Sequence, residues 1–191
     1  VDHAGRAVAA QSLRLFFALW PDAATRARLA EWTRAIHRRS GGRAMRPENV
    51  HLTLAFLGGT EPGALPSIEA AAAGVSPRTF VVRIDEPGYW RHNQIAWAGV
   101  RQVPHELAAL VADLRAALAE SGIPFDPKPF VAHVTLIRKA RPGFRLPRLE
   151  PIEWPVQGFV LVRSVTGPDG STYEIAGRWP GAASPAHGRT P

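Results

Sequence analysis

The chain has 191 residues, a formal net charge of +7 and no cysteine. That length suits one domain or two small lobes on a shared core, and 46% hydrophobic with 20% charged residues describes an ordinary globule. Disulfides and thiolate zinc sites are excluded, no run approaches the ~20 apolar residues that span a bilayer, and a cytoplasmic setting is favoured.

Residues 1–11 carry no periodicity and read as a disordered leader or tag remnant. Leu13 to Trp20 is the first strand. Pro21-Asp22 then opens a helix to about Arg39, with Leu29, Trp32 and Ile36 on its apolar side and Gly41-Gly42 at its exit. Arg43 to Asn49 is a loop into a strand at His51, which Gly58-Gly59 closes. Pro62 to Ala73 is a second helix, Ala-rich. Thr79 to Ile84 and Gln94 to Val100 are strands separated by a loop holding Pro87-Gly88. Val103 to Glu120 is the clearest helix, since Leu107, Leu110, Val111, Leu114 and Leu118 recur at helical spacing. A proline-rich loop (Pro124, Pro127, Pro129) leads to a strand at His133. Strands over Ile152 to Val162 and Thr172 to Trp179 come next, joined by a Gly167-Pro168-Asp169-Gly170 turn. Residues 181–191 read as a disordered tail, leaving 12–180 as a single domain of α+β class.

The basic residues are almost all arginine; Lys128 and Lys139 are the only lysines. Arginine's planar fork suits phosphate, so the charge fits a polyanionic partner. A chain rich in Ala, Arg, Gly and Pro also acquires this bias from a GC-rich genome, and the charge alone does not separate the two.

One short pattern occurs twice, as His51-Leu52-Thr53-Leu54 and His133-Val134-Thr135-Leu136. Side chains alternate along a strand, so each copy presents an imidazole and a hydroxyl on one face and aliphatic groups on the other. A lone strand histidine is usually a packed residue, and threonine is common in strands for its β-branching. Two copies, one in each half of the chain, instead suggest one site built from two similar lobes across a cleft. Paired imidazoles divide proton transfer: one accepts while the other donates. Phosphodiester cleavage needs this pairing, and the threonine hydroxyls suit non-bridging phosphate oxygens. No Asp, Glu or third His stands at ligand spacing, so neither metal nor cofactor is expected. Trp90 and Trp97 suit base stacking, but core positions are favoured. Of Phe16 and Phe17, one should face the cleft and the other the core.

At these residues the chain resembles the 2H phosphoesterase superfamily, in its LigT-like branch of RNA 2′,3′-cyclic phosphodiesterases, also called 2′-5′ RNA ligases. The similarity runs from about Leu13 to Trp179. It rests on Arg14-Leu15-Phe16-Phe17-Ala18-Leu19, His51 through Gly58, His133 through Arg138, and the segment Ser164 to Tyr173. It implies a bilobal fold, two mainly antiparallel sheets lining a central cleft with helices outside. It also implies metal-independent opening of a 2′,3′-cyclic phosphate to a 2′-phosphate, with reversible 2′-5′ ligation. By resemblance His51 is the proton donor, His133 the proton acceptor, and Thr53, Thr135 and Arg138 hold the substrate. Ala132 stands where relatives commonly carry proline. Strict alternation puts Arg138 on the face away from His133, so it reaches the cleft only if the strand bulges or ends near Ile137. The expected partner is an RNA or nucleotide 2′,3′-cyclic phosphate, bound by a monomer with no membrane. The alternatives are a small-nucleotide substrate such as ADP-ribose cyclic phosphate, and a non-catalytic RNA- or nucleotide-binding module.

Overall fold

The computed structural model describes residues 12–167 and 170–182. The expected leader at 1–11, the central pair of the 167–170 turn, and residues 183–191 lie outside the described residues. The strands are β1 (Leu13–Leu19), β2 (Arg43–Ala44), β3 (Leu52–Thr60), β4 (Phe80–Ile84), β5 (Glu86–Trp90), β6 (Ile95–Gly99), β7 (His133–Arg138), β8 (Ile152–Val156), β9 (Gly158–Gly167) and β10 (Gly170–Pro180). The helices are α1 (Ala23–Ser40), α2 (Leu65–Ala73) and α3 (His105–Glu120), with single 3-10 turns at Pro47–Asn49 and Pro62–Ala64. Asp22 caps α1 by accepting from the Thr25 amide at 2.7 Å, the side-chain partner that a helix start needs.

Seven strands run in the order β10-β9-β1-β3-β7-β6-β5, with β2 added on β7. All the pairings are antiparallel. Counting outward from the β3–β7 seam, β1 and β9 on one side match β6 and β5 on the other, which is the internal repeat made structural. The two halves expected as separate sheets are joined at one register pair, Leu52 opposite Val134. Beyond it β3 leaves β7, and β2 takes the vacated side, with Arg43 opposite Arg138 and Ala44 opposite Ile137. Gly42 permits this: at φ 85 its backbone lies against the carbonyls of Arg138 and Lys139, where a Cβ would stand 2.7–2.8 Å from their oxygens. A second, two-stranded sheet pairs β4 with β8.

Leu52, Leu54, Val134 and Leu136 are buried in one core with Leu29, Trp32 and Ile36 of α1 and Leu107, Leu110 and Leu114 of α3. Alternation then turns His51, Thr53, His133 and Thr135 to the other face of the sheet. Phe17 joins the main core, whereas Phe16 belongs to a small cluster on the opposite face with Ala18, Val160 and Val162. The expected split of the two phenylalanines therefore holds.

Three expectations need correction. Pro87-Gly88 is not a loop but the middle of β5. This strand forms the sheet edge, where a proline without an N–H is tolerated, and Gly88 leaves room for the Trp97 indole to lie across it. Ile152 to Val162 is two strands, broken at Gln157, and the second opens on Gly158, whose φ of 141 only glycine adopts readily. The chain also stays in the fold past Pro180: the Gly181 amide donates to Gln157 O at 2.7 Å, and Ala182 pairs with Arg78.

Candidate active site

Both histidines are fixed in the same way. His51 Nδ1 lies 2.7 Å from the Asn49 carbonyl and His133 Nδ1 lies 2.8 Å from the Val131 carbonyl, each two residues back. A carbonyl only accepts, so Nδ1 carries the hydrogen and Nε2 keeps the lone pair in each neutral ring. The strands meet at Leu52–Val134, so His51 and Thr53, which flank Leu52, and His133 and Thr135, which flank Val134, lie about this junction on the sheet face away from the core. The four polar residues thus form a patch on adjacent strands, over a floor of aliphatic side chains.

Around this patch the halves differ. His51 sits among aromatic rings: Trp20 stacks on it at 5.6 Å, Phe16 lies at 4.7 Å and the edge of Tyr173 at 5.2 Å. Burial there, reinforced by the nearby charges of Arg138 and His133, lowers its pKa from 6.5 to about 4, against the opposing pull of the Asn49 carbonyl. His133 is lowered too, first by burial and then by Arg138, again against its carbonyl partner. Its neighbour is Trp90, edge-on at 4.6 Å. Neither Trp90 nor Trp97 is in the core that the sequence favours for them. Trp97 lies opposite Thr135 and Gly88 instead, on the patch side of the sheet.

Arg138 reaches the site. On β7 both Leu136 and Ile137 are buried, and the register slips by one residue between Ala96–Ile137 and Trp97–Thr135. The bulge carries one extra residue and re-aims the side chains beyond it. The same device occurs in β3, where Leu54 and Ala55 are both buried and the register slips between Phe17–Ala55 and Ala18–Thr53. Phe56 is therefore the counterpart of Arg138. It carries Arg14 over its ring at 5.3 Å, so each half brings one guanidinium to the site by a different route. His51, Thr53, Phe56, Arg14 and Arg138 line one cavity of about 720 Å³, as do Arg43 and Arg46. His133 and Thr135 are not among its lining residues. Among the described residues no three His, Asp or Glu side chains are grouped to hold a metal, and no helix is long and apolar enough to cross a membrane.

The family description "LigT like Phosphoesterase" matches residues 19–97 and 99–173. The chain belongs to this family. Among its relatives, the RNA 2′,3′-cyclic phosphodiesterase of Escherichia coli K12 is 33% identical over 134 residues, 70% of this chain and 76% of that protein. The one from Thermus thermophilus is 32% identical over 85% of this chain and 87% of its own length. The crystal structure of E. coli LigT complexed with 3′-AMP superposes with a TM-score of 0.82 at 30% identity, covering 90% of this chain and 99% of that one.

The LigT-like phosphoesterase has site residues that the motifs do not announce. Asn49 is buried. Its carbonyl holds His51 while its Nδ2 donates to Ser171 O of β10 at 3.1 Å, which ties the imidazole to the far end of the sheet. Trp20 follows β1 directly, and its place in the sequence marks it only as strand. Tyr173 falls in the segment of resemblance, without a role there; β10 pairs it with Ser164, and both line the cavity.

The neutral state of His51 has a cost in acid. The folded pKa near 4 lies below the unfolded 6.5, so as pH falls through that window the unfolded chain takes up a proton that the fold refuses. Stability should drop between about pH 6.5 and pH 4, by roughly 3 kcal/mol at most from this residue. Urea unfolding over a pH series measures it. His51→Gln should flatten the curve in that window, and an unchanged slope would contradict the burial account.

Proposed function

We propose that this phosphoesterase hydrolyses 2′,3′-cyclic phosphate ends of RNA to 2′-phosphates, without a metal, by acid–base catalysis divided between His51 and His133. The observation that carries the reading is the matched fixing of both Nδ1 atoms beside two threonines on one sheet face. It leaves two Nε2 atoms for chemistry at one phosphate. The names of the relatives support the substrate class, and the 3′-AMP bound to LigT is a nucleotide of the kind a cavity this size accepts.

The uneven surroundings support one division of roles. The leaving 3′-oxygen belongs to the nucleoside, so the donor stands on the nucleoside's side and the acceptor on the water's side. The cavity with room for a nucleoside is lined by His51 and not by His133. His133 Nε2 accordingly takes a proton from water as its oxygen bonds to phosphorus. The P–O3′ bond breaks and His51 Nε2 protonates the departing oxygen. Thr53 and Thr135 donate to the non-bridging oxygens and Arg138 offsets their charge. In the free site both imidazoles are neutral at pH 7. When the substrate binds, its phosphate anion pairs directly with the His51 ring and favours the imidazolium, which takes its Nε2 proton from solvent against the burial that keeps the ring neutral in the free site. With a ribose 5′-hydroxyl attacking in place of water, the same steps in the same direction form a 2′-5′ linkage, and run backwards they cleave it to the cyclic phosphate.

A 2′,3′-cyclic nucleotide incubated with the protein in excess EDTA should be opened at full rate, with phosphorus NMR showing a 2′-phosphate. Loss of activity in EDTA, or a 3′-phosphate product, would overturn the mechanism.

A further inference from the structure

The charge surplus of the chain is concentrated in two segments. Residues 32–47 hold five arginines and no carboxylate, and residues 127–149 hold six basic residues and no carboxylate. The fold brings the segments together. Arg43 pairs with Arg138, the Arg141 amide donates to Ser40 O at 2.9 Å, and Gly42 lies against the backbone of Arg138 and Lys139. Beside this junction lies a second cavity, of about 550 Å³, lined by Arg38, Arg39, Arg141 and Phe144 among others, with no Asp or Glu. Among the described arginines only Arg28, with Glu31, and Arg83, with Asp85 and Glu153, pair with acids, so what sets this region apart is that neither segment nor the second cavity's lining holds a carboxylate. None of the arginines lining either cavity makes an ion pair among the described residues. The C-terminus of α1 supplies only about half a negative charge, which does not balance three guanidiniums.

We propose that the second cavity binds backbone phosphates of a single-stranded RNA whose 3′ end occupies the catalytic cavity. The inference rests on the functional reading above and adds a site to it. The two cavities are close along the chain: Gly41 lines one and Arg43 the other, and Arg138 and Arg141 are divided in the same way. Three residues span at most about 11 Å, a distance that a few nucleotides of single strand bridge. A nucleoside cyclic phosphate carries one negative charge and cannot reach the second cavity. An RNA brings one charge per nucleotide to a group of guanidiniums with no carboxylate partner (Arg39 donates to the Arg145 carbonyl at 3.3 Å), and Phe144, packed on Tyr89 at 5.1 Å, offers an aromatic edge beside them.

The test uses the full chain with Arg38→Gln, Arg39→Gln and Arg141→Gln combined. All three side chains are exposed. A charge-matched control carries Arg78→Gln, Arg101→Gln and Arg178→Gln. Turnover of a nucleoside 2′,3′-cyclic phosphate should match wild type in both. On an octanucleotide ending in a cyclic phosphate, the first variant should lose about tenfold or more in kcat/KM. Its affinity for the same RNA ending in a plain 3′-phosphate should depend less on salt, with the log–log slope smaller by roughly two to three. Equal RNA kinetics in the two variants would overturn the proposal, as would a parallel loss on the mononucleotide. Wild type that hydrolyses the mononucleotide without favouring RNA would sink this site and leave the catalytic reading intact. Wild type that binds RNA through these arginines but opens no cyclic phosphate would do the reverse.

Discussion

Replacing either histidine with alanine is expected to lower kcat/KM on a 2′,3′-cyclic nucleotide by at least about 10²–10⁴-fold, the usual worth of a positioned acid or base. The double variant should fall little below the worse single one, because both groups serve one transition state. His51→Ala also empties a slot between Phe16, Trp20 and Tyr173. His51→Gln, which fills more of that slot, therefore separates lost chemistry from lost packing: it should be as inactive as alanine but more stable. Steady-state rates with thermal melts decide this. Near-wild-type rates in both single variants would mean that the patch on β3 and β7 is not the reaction centre.

Arg138→Met is expected to cost about 10²–10³-fold, the range for removing one preorganised group that stabilises developing charge. It should also move two titrations. The guanidinium depresses both imidazoles, so its removal makes protonation easier and both pKa values should rise. His51, held near 4 mainly by burial, stays well below 6.5. Proton or nitrogen NMR of the imidazoles reads the shifts. Titrations that do not move would place Arg138 outside the site despite the β7 bulge.

The twin His-Thr strands are legible in the sequence because alternation is a property of the local chain: once two strands are inferred, the faces of His51, Thr53, His133 and Thr135 are set. Helices α1 and α3 are legible for a similar reason, from periodic apolar residues and, for α1, the Pro21-Asp22 start. The illegible features depend on partners distant in sequence. Pro87-Gly88 has the composition of a turn, and only its place on a sheet edge, under Trp97, makes it a strand. The two-residue β2 exists because β3 leaves β7 after one pair. Asn49 has no motif to mark it; its role comes from a main-chain carbonyl and from a bond to Ser171 across the sheet. Arg138 is half legible. A bulge is the condition for its reaching the site, and the paired burial of Leu136 and Ile137 meets that condition. The equivalent bulge at Leu54-Ala55, with Phe56 and Arg14 in the mirrored place, is hidden, because nothing in His51 through Gly58 marks one residue as extra.

The central claim is a division of labour, with His51 protonating the leaving oxygen and His133 activating water. The direct measurement is turnover of a 2′,3′-cyclic nucleotide whose bridging 3′-oxygen is replaced by sulfur, a leaving group that needs no proton. On this substrate His51→Ala should recover most of its lost rate relative to wild type, while His133→Ala should stay as impaired as before. Equal impairment of the two variants on both substrates, or recovery of His133→Ala alone, would contradict the assignment.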